Sequence, residues 1–282
     1  MSIKNFIPTV WAENLLETKE KVHVVARLAN REYEGDIRNF GDTVKVVQIG
    51  DITVSDYDGD SDISYEDLND ASSLLTIDKQ KYFAFQVDDV DAAQSKPGIM
   101  EKAMKKAAYG LRDNQDAYLL GLYAQAGMTV NSDASPADVT SLNVDEQLLE
   151  VAEEMDVNNV PREGRVGIVP PWFHNKCVLA GLTAKTEKDV LFDNGYIDRI
   201  LGFDLFLSNN VSIGTPATGA QTRMIFGIEG ESFALAEQIL NVEALRLEKR
   251  FKDAIRGLHV YGGKIFRPDL TCVLYADKTA ES

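Results

Sequence analysis

The chain has 282 residues, 45 Asp and Glu against 29 Lys and Arg, a net charge of −16 and 44% hydrophobic residues. Enough apolar content is present for a large buried core, which excludes the disordered class. The acidity argues against a surface that grips nucleic acid or anionic lipid throughout, because such binding draws on a basic field. No run approaches the ~20 apolar residues of a membrane span, and the N-terminus lacks a signal peptide's apolar run and cleavage site. Cys177 and Cys272 sit in apolar runs (NKCVLAG and LTCVLYA). They are expected to be buried free thiols of a reducing compartment, not a disulfide.

In chain order, Thr9 to Leu16 has the cap and spacing of a short amphipathic helix, with Val10, Trp11, Leu15 and Leu16 on one side. Val22, Val24 and Val25 then favour an extended arm, with turns at Gly35 and Gly41. TVKVVQIGDITV and LLTIDKQKYFAFQV are two strand candidates around the acidic loop SDYDGDSDISYEDLNDASS. They predict a long β-hairpin, which is marginal in water without a surface to lie on. Residues 97–126 carry the strongest helical signal, with Met100, Met104, Ala108, Leu111, Tyr118 and Leu122 in phase and Gly127 as the stop. Lys102, Lys105, Lys106 and Arg112 make the first half of that helix basic. An α/β segment is expected next. Asn143 and Glu146 form a possible capping box, RVGIVPP a buried strand, WFHNKCVLAG a helix, RILGFDLFLSNN a hairpin turned at Gly202 and TRMIFGI another buried strand. VEALRLEKRFKDAIRGLHVYGGKIFRP returns to long extended structure, and LTCVLYA is the final strand.

Catalytic and metal motifs are weak. Asp56, Asp58, Asp60, Asp62 and Asp67 invite a calcium reading, but an EF-hand register puts Ser61 or Ile63 where Gly is needed. His23, His174 and His259 lack ligand spacing, and no GxSxG, P-loop or GxGxxG occurs. His259 in GLHVYGG reads as a structural or interface residue. No cofactor and no enzymatic activity are expected.

The order of parts resembles the major capsid proteins of tailed bacteriophages, the Hong Kong 97-type shell fold. NFIPTVWAENLLETKEK with VARLANREYEGDIRNFGDTVKVVQIGD resembles an N-arm leading into an E-loop. IDKQKYFAFQVDDVDAAQ and the long helix resemble the E-loop's return and the P-domain spine helix, and GYIDRILGFDLFLSNNV an A-domain segment. VEALRLEKRFKDAIRGLHVYGGKIFRPD resembles the last P-domain strands. The resemblance implies an α+β fold with an N-arm at 1–42, an E-loop at 43–88, a P-domain at 89–126 and 242–282, and an A-domain at 127–241. It implies hexamers and pentamers closing into an icosahedral shell around double-stranded DNA. A portal, a separate scaffolding protein and a possible decoration protein would be partners, with assembly in the host cytoplasm. Trp11, Leu15, Asp56, Asp58, Asp60, Tyr82, Phe83, Phe85, Arg246, Arg250 and Tyr261 would then lie at subunit interfaces. Lys102, Lys105 and Lys106 would face the DNA without reading sequence. The alternatives are an encapsulin-type nanocompartment shell and a calcium-dependent binding protein.

Overall fold

A computed structural model describes residues 24–32, 41, 43–49, 70–88, 99–182, 196–211, 222–246 and 252–278. Trp11, Leu15, Asp56, Asp58, Asp60 and Arg250 lie outside them. The described elements are helix α1 (Val25–Leu28), strands β1 (Thr43–Ile49), β2 (Asp70–Thr76) and β3 (Lys79–Asp88), and the long helix α2 (Ile99–Leu120). Next come β4 (Met128–Val130), β5 (Ala137–Val139), α3 (Val144–Val157), β6 (Arg165–Val169) and α4 (Pro171–Leu179). Strands β7 (Tyr196–Ile200), β8 (Phe203–Leu207), β9 (Thr222–Ile228), β10 (Phe233–Arg246), β11 (Lys252–Ile265) and β12 (Cys272–Lys278) complete the fold.

The strands form three sheets. A seven-stranded mixed sheet runs β4-β12-β9-β6-β8-β7, with β5 also paired to β12. Strands β6 and β9 are buried along their whole length, as their unbroken apolar runs predict. Helices α3 and α4 bring Val144, Leu148, Val151, Met155, Phe173 and Cys177 into its core. Both cysteines are free and buried, and burial pushes each thiol up to about 12. A second sheet pairs the two 14-residue strands β10 and β11 and adds β3 at the edge. Helix α2 lies on it, with Met104, Ala108 and Leu111 against Val242 and Ile255. The third sheet is the two-stranded ribbon β1–β2.

Four expectations need correction. The strand expected over 74–87 is two strands in different sheets, parted at Ile77 and Asp78. Leu75 and Ile77 turn into a pocket with Ala234, Ala236 and Val260, while Asp78 accepts hydrogen bonds from Tyr118 and Lys79. That anchorage ends the ribbon and starts β3, so part of the expected hairpin arm is sheet edge. The stretch around Val25 is a helical turn, not extended, because Val25, Ala26 and Leu28 all bury their side chains. Asn143 makes no capping bond; its Oδ1 accepts from the Thr140 N–H and hydroxyl at 2.7 and 3.0 Å. Finally, β12 pairs with β9, β4 and β5 in the seven-stranded sheet, and the expected 241/242 boundary falls inside β10. An apolar strand with hydrophobic residues on both faces is stable only in the interior of a covered sheet.

The long helix ends as α-helix at Leu120 and tightens into a 3₁₀ turn over Gly121–Gln125. The side chain of Gln125 accepts the Ile265 N–H at 3.1 Å, tying this turn to the end of β11. The ribbon reaches the long-strand sheet at Gly262. A Cβ there would run into the Thr76 carbonyl and lie 2.9 Å from Ile77 Cα. Backbone cannot swing aside as a side-chain tip can. Gly262→Ala is therefore expected to destabilise the chain by about 1–3 kcal/mol, read as a lower thermal midpoint; an unchanged midpoint would show that the ribbon root shifts freely.

Candidate subunit interface

The long-strand sheet has two unlike faces, because successive side chains alternate across a strand. The face toward α2 is filled. Phe83 and Phe85 stack with ring centroids 6.2 Å apart and pack half-buried beside Met104, Ala108, Leu111 and Ile255. Further along, Tyr261 meets Tyr118 edge-on at 5.5 Å and stacks on His259 at 5.0 Å.

A buried polar cluster sits deeper on this face. The Glu237 carboxylate accepts from Arg31 at 2.6 Å and from Gln115 at 2.8 Å, and His259 Nε2 lies 3.1 Å away. Gln115 and His259 are buried. One carboxylate thus joins the segment after α1, the long helix and both long strands. Breaking such a buried pair costs far more than an exposed one, because a desolvated charge is left behind. Next to Gln115 on the helix, Asp116 accepts the backbone N–H groups of Val24 and Ala26, at the start of α1. Burial pushes its carboxyl up to about 6, partly offset by those bonds and by the Arg112 guanidinium, and Asp113 adds a smaller upward push. The Asn30 N–H donates to the Phe233 carbonyl at 2.7 Å and the Leu235 N–H to the Asn30 carbonyl at 3.0 Å, so residues 24–31 are fastened along their length.

The opposite face is half covered. Leu75 and Ile77 of the chain's own ribbon root lie on Ala234, Ala236 and Val260. Beyond them the face opens into a hollow of about 480 Å³ lined by Tyr82, Ala84, Glu243, Arg256, Gly257 and Leu258. Tyr82 is 78% exposed. Glu243 and Arg256 are cross-strand partners, and the guanidinium donates twice to one carboxylate oxygen, at 2.9 and 2.6 Å. Both ends of that pair stay solvated, so it orders the surface and adds little stability. Leu245, toward the end of β10, is also exposed.

The residues predicted at interfaces therefore divide. Tyr82 lines the open hollow and Arg246 is exposed. Phe83 and Phe85 pack on their own chain's helix. Tyr261 is 1% exposed, so it is a core residue of the chain and not a surface one. The reason is strand parity: Tyr82 and Phe83 are neighbours in sequence and point to opposite faces. Lys105 and Lys106 are exposed on α2, on which Lys102 lies three residues earlier. Glu243, Arg256 and Leu258 were missed, although an acid and a base at matched positions of two long strands was a readable signal. Gln115, Asp116 and Glu237 carried none, since polar residues in a helix or strand normally mark the solvated side. Among the described residues no His, Cys, Asp or Glu group could hold a metal ion, and no helix is long and apolar enough to cross a membrane.

A long helix laid on two long strands, a two-stranded ribbon rooted on the other face of that sheet and a mixed sheet continuing the chain make up the Hong Kong 97-type capsid fold. The solved structure of Mycobacterium phage Che8 matches with a TM-score of 0.72 at 27% identity, over 91% of this chain and 92% of that one. Gordonia phage Cozz matches at 0.63 and 13% identity, over 92% and 87%. A virus-like particle from Pyrococcus furiosus matches at 0.59 and 14% identity, over 94% and 97%, and shares the fold alone. The family model described as phage capsid protein matches residues 52–274, and the chain belongs to that family. Its role is structural: it self-assembles into the capsid shell of a virion. No match was found among curated proteins.

The raised folded-state value of Asp116 sets a sign for its pH effect. The folded chain holds this proton more tightly than the unfolded one, so the stabilisation is complete below about 3.8 and lost as pH rises through about 6. Asp116→Asn is expected to flatten that part of the fall in thermal midpoint between about pH 4 and pH 6.5. The effect is at most about 3 kcal/mol for a shift of roughly two units. Identical pH slopes for the two proteins would contradict it.

Proposed function

We propose that the chain is the major capsid protein of a tailed phage, closing as hexamers and pentamers into an icosahedral shell around double-stranded DNA. The observation that carries the reading is a pair of features in one chain: a two-stranded ribbon held, among the described residues, at its root, and an open hollow on the sheet face beside that root. Among the described residues strands β1 and β2 pair only with each other, and seven residues of ribbon span about 23 Å at ~3.3 Å per residue. A two-stranded ribbon is marginal in water. The hollow beside Tyr82 continues the face that the chain's own Leu75 and Ile77 already cover. A ribbon from a neighbouring copy resting there would give both surfaces a partner, head to tail, and such contacts close into rings.

On this reading the ribbon is the E-loop, and the N-arm ends in the segment held by Asp116 and Glu237. The P-domain is α2 with β3, β10 and β11. The A-domain is the seven-stranded sheet with α3 and α4, and it includes β12. Lys102, Lys105 and Lys106 form the DNA-facing stripe, in a contact without sequence preference. The acidic stretch supports this division of labour: nine acids and no base lie between Lys45 and Lys79, so much of the net charge belongs to that stretch and not to α2. A separate scaffolding protein, a portal and a possible decoration protein complete the assembly, which takes place in the host cytoplasm. No step of this role calls for catalysis or a cofactor.

Deleting residues 55–73 is expected to leave the remainder folded, with its thermal transition retained, and to abolish shells, rings or tubes in negative-stain micrographs. Particles forming at the full-length yield would remove the ribbon from the assembly mechanism. Tyr82→Ser tests the receiving face: unchanged chain stability with a clearly raised assembly threshold is expected.

A further inference from the structure

A second surface stands out in the seven-stranded sheet. Strands β7 and β8 are joined by the two-residue turn Leu201-Gly202, and both residues have positive φ, 50° and 91°. That turn suits the right-handed twist of a hairpin, and Asn-Gly is its usual sequence. Leucine there is an outlier, because Cβ crowds the backbone in the left-handed region. The strain is not recovered by full burial, since Leu201 remains 42% exposed. Instead it lines a hollow of about 250 Å³ together with Leu149 and Ala152 of α3. Leu149 is 53% exposed as well.

The charges around this hollow are arranged asymmetrically. Arg162 and Arg165 share the single carboxylate of Asp156, at 2.6 and 2.7 Å. Arg165 is buried and is also held by the carbonyls of Val160 and Pro161, at 2.7 and 2.9 Å. Arg162 stands at the rim with its side chain 82% exposed. The solvent face of α3 beside Leu149 is acidic, with Asp145, Glu146, Glu150 and Glu153 all exposed. A cationic rim and an acidic helix face thus lie next to each other on one chain.

We propose that the hollow between Leu149 and Leu201 is a docking site for a second copy of this chain, with Arg162 meeting the acidic face of α3 on that copy. Arg162 of one copy is matched to α3 of the next, a head-to-tail contact, and such a contact closes into a ring when the rotation between copies closes. An unrelated partner would supply its own complement. Here the complement is already present on the chain. Leu201 is kept in a costly conformation because it presents an apolar anchor at the hairpin tip. The inference rests on the shell reading above.

The diagnostic variant is Leu201→Asn, which relieves the strain and removes the anchor. The purified full-length chain is expected to gain about 2–4 °C in thermal midpoint, while its assembly threshold, read by sedimentation velocity and negative-stain microscopy, rises about tenfold. Arg162→Glu should raise the threshold similarly. A second change, Glu150→Arg with Glu153→Arg, should restore part of the loss. Wild-type assembly by Leu201→Asn, or a fall in its midpoint together with its assembly, would overturn the docking role. Unchanged assembly with lost binding of a shell-coating protein would reassign the hollow and also overturn it. Failure of the wild-type chain to assemble at all would overturn the shell reading and this contact with it.

Discussion

How closely other elements can approach β11 decides the rest of this structure. Gly262 and Gly263 are adjacent, so they open opposite faces of the strand. At Gly262 the ribbon root comes within backbone contact, and at Gly263 a Cβ would lie 2.6 Å from Leu119 of the long helix. One pair of missing side chains lets the sheet be gripped from both sides at the same level. Through that grip the ribbon root, the sheet and the helix become one body.

The polar cluster on the helix side turns this body into an anchor for the chain's N-terminal part. Arg31, Gln115 and His259 converge on Glu237, and Asp116 holds the first turn of α1. Hydrophobic packing alone would hold α1 without fixing its direction. Hydrogen bonds to a shared buried carboxylate are directional, and misplacing any partner leaves a desolvated charge. Residues 24–31 therefore leave the body along a set path.

Among the described residues two apolar surfaces remain open: the sheet face around Tyr82 and the hollow around Leu201. Each pairs an exposed apolar residue with a salt bridge at its edge, Glu243–Arg256 in one case and Asp156–Arg162 in the other. Such surfaces risk indiscriminate sticking. Charged rims limit that risk, since a wrong partner must desolvate an ion pair without replacing it. The strongly acidic chain adds long-range repulsion that only matched patches overcome.

Period and composition by themselves determined much of this protein. The long helix, the buried strands RVGIV and TRMIF, the hairpin turned at Gly202, the free thiols and the order of parts behind the capsid resemblance are local or serial properties. Each follows from side-chain spacing along one stretch of chain. Only the tertiary structure decided which sheet a strand joins and which face a residue occupies. The run through Phe83 and Phe85 is apolar whether it belongs to a projecting arm or to a sheet edge, and pairing with β11 settles the matter. Tyr261, expected at an interface, is in the core, and Gln115 and Glu237, which carried no signal, form a buried cluster, for the same reason. Burial depends on what packs across a face from more than a hundred residues away, and that is not written in the periodicity of either segment.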